Sequence, residues 1–287
     1  MHATRWKLIP LLLLLTLLLG VSSAHSEMLD DVVTQMEYEQ GKMYFNQENY
    51  TKAAEHFELA RNYEDAKKWL FYCQAIHSVA KNDVPLATLD EAYAMFGLLA
   101  AHHFEQAEQW AIYCEGRIYE LKKMKTDAAD AYSRVLVDNS IDRYLALKNK
   151  AALLEPVDTV RQRVNLDNIL PNSEAYYQAG DDAWTLDQYA IAADYFCLAG
   201  NYEDARQRRC LCLAITMVKK KNIEDAAVIF KLLASLGNEE AAQWYTYCEG
   251  RDYESRKMYV DAIEKYKSIF LLDSPTRYLD LCKKYKP

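Results

Sequence analysis

The feature that most constrains this chain is that it is written twice. From Tyr38 onward it matches the stretch from Tyr177 at an offset of 139 residues. Gly41 meets Gly180, Tyr50 meets Tyr189, Ala53 and Ala54 meet Ala192 and Ala193, and Phe57 meets Phe196. Residues Asn62 to Ala66 recur unchanged as Asn201 to Ala205. Further on the offset falls to 134. Trp110 then meets Trp244, Tyr113 to Arg117 recur as Tyr247 to Arg251, and Arg143, Tyr144 and Leu145 meet Arg277, Tyr278 and Leu279. A chain duplicated this closely must fold as two related sets of elements.

Each half has a finer period. An alanine followed four residues later by an aromatic occurs at Ala53/Phe57, Ala92/Phe96, Ala128/Tyr132, Ala192/Phe196, Ala226/Phe230 and Ala262/Tyr266. A small residue lies upstream of each: Gly41, Ala75, Gly116, Gly180, Ala214 and Gly250. Spacings of this kind describe helix–turn–helix units of about 34 residues. Five extra residues around Val84 and Pro85 lengthen one turn. Glycine inside a helix costs about 0.5–1 kcal/mol relative to alanine, so it is kept where a second helix must approach closely. With eight glycines and six prolines in 287 residues, the composition also favours helices with short connections. The expected fold is all-α: an α-solenoid of helical hairpins in two tandem three-repeat modules. Asn62, Asn201 and Asn222 are expected to cap helices. Arg143 to Glu155 is expected to form a helix covering the first module, and the region of Arg277 to cover the second. The expected organisation is a leader at 1–24, a first module at 25–155, a linker at 156–172 and a second module at 173–287.

Gly41, Tyr44, Tyr50, Ala53, Phe57 and Ala60, and again Gly250, Tyr253, Tyr259, Ala262 and Tyr266, resemble the tetratricopeptide repeat. The resemblance runs from about Gln35 to Thr276 outside the middle segment. It departs from the family at Glu37, where tryptophan is frequent, and at Asp65 and Asp204, where proline usually closes the unit. The repeated Tyr-Glu-Asp-Ala turn with the following Tyr-Cys also resembles repeats in exported bacterial proteins. The resemblance implies first helices lining a concave surface that grips peptides or partner proteins.

Arg5 and Lys7, the apolar run Ile9 to Leu19, and small residues at Ser22 and Ala24 have the order of a secretory signal peptide cleaved after Ala24. The expected location is secreted or extracytoplasmic, with no stable membrane insertion after removal. Losing residues 1–24, which carry two basic residues and no acid, moves the net charge from -8 to -10. Such a chain repels phosphate polymers, so nucleic acid is not an expected partner. Seven cysteines sit largely at equivalent repeat positions, Cys73, Cys114, Cys212 and Cys248 among them, too far apart for a disulfide framework, and read as packing residues.

Zinc-protease, nucleophile-elbow, phosphate-loop and paired-cysteine motifs are absent from the sequence, so no catalytic residue, cofactor or metal is expected. His102 and His103 read as surface residues. The candidate ligand-binding set is aromatic: Trp69, Trp110 and Trp244 stand three residues before Tyr72, Tyr113 and Tyr247, and Arg117 and Arg251 follow four later. These spacings put the residues of each set on one side of a helix. They either floor a groove with an arginine for a carboxylate or fill gaps between units. The expected function is protein or peptide binding; a carbohydrate or cell-wall binder is the alternative, and an enzyme is less favoured.

Overall fold

The computed structural model describes residues 23–81, 83–148 and 172–285, with side chains from Asp30. The leader up to Ser22, the linker up to Pro171 and the end of the first expected covering helix lie outside the described residues. Fourteen helices and no strand are found among the described residues: α1 Ser23–Asn46, α2 Tyr50–Leu59, α3 Ala66–Val79, α4 Leu86–Ala101, α5 Ala107–Leu121, α6 Lys125–Ser133, α7 Ser140–Leu147, α8 Ser173–Thr185, α9 Tyr189–Ala199, α10 Ala205–Lys219, α11 Ile223–Ser235, α12 Glu239–Ser255, α13 Tyr259–Lys267 and α14 Ser274–Lys284. The chain divides between His77 and Ser78, near the end of α3, into two compact units.

In the first unit α1 and α2 form a hairpin. In the second, each helix packs on the next from α4 to α7 and from α8 to α14, the packing pattern of an α-solenoid. The glycines explain the pairing. A Cβ placed on Gly41, Gly116, Gly180 or Gly250 would lie 2.7, 2.6, 2.7 or 2.5 Å from a ring carbon of Phe57, Tyr132, Phe196 or Tyr266. In each case three consecutive ring atoms lie within 3.0 Å, so the glycine sits against the ring face. The aromatic thus fills the space beside its own hairpin's glycine.

The turn inside each hairpin repeats as well. Glu48, Lys123, Asp187, Lys221 and Lys257 all have positive φ, and each stands seven residues after the small residue of its unit. This left-handed residue reverses the chain in a tight connection.

Asn62 and Asn201 do not cap helices: α3 and α10 begin four residues later. The intervening segment folds as a turn in which Tyr63 and Tyr202 bond back to Ala60 and Ala199, with Glu64 and Glu203 at positive φ. Tyr63 and Tyr202 are drawn onto Tyr38 and Tyr177, with ring centroids 5.4 and 5.5 Å apart. Asn201 instead accepts a hydrogen bond from Arg206. Asn222 does stand at the start of α11, but its side chain makes no capping bond. Glu37 approaches His56, with Oε2 and Nδ1 2.6 Å apart. All seven cysteines are unpaired; Cys73, Cys114, Cys210, Cys212 and Cys248 are buried, as packing residues should be.

The helix expected from Arg143 begins earlier, at Ser140, whose buried hydroxyl donates to the Val135 carbonyl. Ser274 occupies the matching place before α14 and donates to Ile269. The outer side of α7 meets the second half of the chain. Arg209 of α10 pairs with Asp142 at 2.9 Å, Arg206 donates to the Asp138 carbonyl at 2.8 Å, and Tyr144 donates to Asp225 of α11 at 3.3 Å.

Candidate functional site

The repeated tryptophans occupy the seams between successive hairpins. Phe57 stacks on Trp69 at 5.5 Å, Phe96 on Trp110 at 5.6 Å and Phe230 on Trp244 at 5.6 Å. Each phenylalanine therefore has the next unit's indole beside it. Tyr72, Tyr113 and Tyr247 then meet the edges of the same indoles. All six rings are buried. The tryptophan–tyrosine pairs are assembled as the spacing requires, but their rings fill the packing between units and offer no open ring face for a groove. Where the first half has Trp69, the second has Arg208, whose guanidinium lies 5.9 Å from the Phe196 ring centre.

The two arginines differ. Arg117 is 4% exposed and donates to the carbonyls of Val79 and Lys81 at 3.1 and 3.0 Å, closing the end of α3. Arg251 donates to the Tyr247 hydroxyl at 3.0 Å and faces Glu254 at 3.7 Å, with part of its side chain open to solvent. Only Arg251 retains an accessible face for a ligand carboxylate.

A polar network, unnoticed from sequence, is also written twice. Tyr132 and Arg143 both donate to Glu120, and Tyr113 donates to Asp138 and Asn139. In the second half Tyr266 and Arg277 donate to Glu254, and Tyr247 donates to Asp273. Burial, and then the bond to Glu120, raises the Tyr132 phenol above its ordinary range. Burial does the same to Tyr113, with Asp138 adding to it. The signal was the recurrence of Glu120, Ser140 and Arg143 as Glu254, Ser274 and Arg277. These bonds fix α7 and α14 to the hairpins before them, a structural task.

An open cleft of about 450 Å³ lies between α6, α7 and α11, with Lys125, Asp130, Tyr144, Lys148 and Val228 among its walls. Its lining mixes Lys125 and Lys148 with Asp130 and with the apolar Ala129, Leu147 and Val228. His102 ends α4 and His103 has positive φ; both are exposed. Among the described residues no cluster of three or more His, Cys, Asp or Glu could hold a metal, and no helix is long and apolar enough to cross a membrane. No protein-family model and no curated protein matches the chain.

Proposed function

We propose that the chain is a tetratricopeptide-like interaction scaffold, exported from the cytoplasm, that binds a peptide or protein partner. The observation carrying this reading is the repeated nesting of glycine against aromatic at Gly41, Gly116, Gly180 and Gly250, which joins helices into hairpins that pack one on the next. Export rests on the leader-like order of residues 1–24. The cleft walled by Lys125 and Lys148 is the partner site this reading favours, with Arg251 as a second anchor. The carbohydrate reading depended on exposed aromatic rows, and the repeated tryptophans are inside, so those rings give it no support.

The test uses the chain as bait for extracellular and envelope material of its source organism. The reading predicts capture of a defined protein partner and its loss from the Lys125→Glu/Lys148→Glu variant at unchanged melting temperature. Capture that survives both proteolysis of the material and the charge reversal, or catalytic turnover by the bait, would refute it.

A further inference from the structure

The duplication makes the two covering helices, α7 and α14, directly comparable. On α7 the second half of the same chain supplies a partner surface: Arg206 and Arg209 of α10 bond to it, and Asp225 of α11 accepts from Tyr144. Leu136 and Leu145, before and within α7, are 7% and 0% exposed. Their counterparts at the offset of 134 are Phe270 and Leu279, which are 88% and 55% exposed, with Leu272 exposed beside them. One surface is covered and its copy is bare. A phenylalanine left almost wholly in water next to two exposed leucines makes a contiguous apolar patch of the kind that marks an interaction surface.

The partner surface has its own copy. At the offset of 139, Arg206, Arg209 and Cys210 of α10 correspond to Lys67, Leu70 and Phe71 of α3. Cys210 is buried, whereas Phe71 is 48% exposed. The ion pair of Arg209 with Asp142 is replaced at the copied positions by Leu70 and Thr276, an uncharged combination. Lys67 stands where Arg206 reaches a backbone carbonyl, and the counterpart of that carbonyl belongs to Leu272. Both bare surfaces are thus more apolar than the pair already joined within the chain. They match each other in the register that the internal contact defines.

We propose that a second copy of this chain covers the bare end: α14 of one molecule docks on α3 of the next as α7 docks on α10 within the chain. Two different patches meet, so the contact is head to tail and leaves each pair with one unused copy of each patch. The proposal is independent of the peptide-binding reading, because neither patch includes the cleft or Arg251.

Sedimentation of the full chain over a concentration series tests it. Wild type should associate with rising concentration. Phe270→Asp/Leu279→Asp, which blocks the tail, and Phe71→Asp, which blocks the head, should each weaken association by about 10–100-fold. All three positions are substantially exposed, so unchanged circular-dichroism melting should confirm that the variants fold. Mixing the two variants should restore a one-to-one dimer and nothing larger, since each retains the patch the other lacks. A wild type that stays monomeric, a mixture that forms no dimer, or association that persists when both sets are combined in one chain overturns the proposal.

Discussion

Replacing Gly116 by alanine should destabilise the chain even though alanine is the better helix former. The new methyl would stand 2.6, 2.9 and 3.0 Å from Cε1, Cδ1 and Cζ of Tyr132. The ring has little room to withdraw: its hydroxyl is bonded to Glu120, which also holds Arg143, and Tyr113 stands 5.8 Å away. Overpacking of this kind costs about 1–3 kcal/mol, while exchanging a helical glycine for alanine returns about 0.5–1 kcal/mol. The net loss should be up to about 2.5 kcal/mol. Gly97 in α4 is the control, because nothing lies within 4 Å of a Cβ placed there, and its alanine variant should gain about 0.5–1 kcal/mol. In a Tyr132→Ala background, itself weakened by about 3–5 kcal/mol, Gly116→Ala should become stabilising. The double-mutant cycle should then show a coupling of about 1–3 kcal/mol. Urea denaturation followed by far-ultraviolet circular dichroism measures all four species. Equal shifts for Gly116→Ala and Gly97→Ala, or a coupling near zero, would refute the close-approach argument.

Arg117→Met should cost about 2–3 kcal/mol by stranding the Val79 and Lys81 carbonyls. Arg251→Met should cost less than about 1 kcal/mol, and urea midpoints of the two variants separate a structural arginine from an available one. Burial pushes the Cys73, Cys114, Cys210 and Cys248 thiols up to about 12 from an ordinary 9.0. The folded chain therefore holds these protons more tightly than the unfolded one. That contribution is intact below about pH 9 and lost as pH rises towards 12, so urea midpoints should fall across this alkaline window. Native alkylation read by mass spectrometry should modify Cys197 and Cys282 and spare the five buried thiols. Lys257→Gly, which relieves a left-handed turn residue at φ 60°, should raise stability by up to about 1 kcal/mol in the same urea assay.

The repeat architecture was legible because each requirement falls on one residue type at a fixed spacing. Glycine is the side chain whose absence admits Tyr132 or Phe57, and periodicity displays it. The repeated Trp and Tyr were also found at the right places, but a spacing rule puts residues on a helix side without saying what covers that side. Phe57 and Phe230, from the preceding hairpins, provide the cover for Trp69 and Trp244. Arg117 and Arg251 look identical in sequence, yet Arg117 is buried on the carbonyls at the end of α3 while Arg251 bonds the Tyr247 hydroxyl, faces Glu254 and stays partly exposed. The capping expectation at Asn62 failed for a local reason. A tyrosine packing onto Tyr38 of α1 outweighs an asparagine's preference for a cap, and the helix start moves to Ala66.

The central physical claim is that a glycine lies under an aromatic ring in four of the hairpins. Ring currents report this directly, because a proton above a ring face is shifted upfield. Proton NMR of the chain should place the α-protons of Gly41, Gly116, Gly180 and Gly250 upfield of those of Gly97 and Gly237, which have nothing nearby. Six glycines with unshifted α-protons would contradict the packing on which the fold and the proposed scaffold both depend.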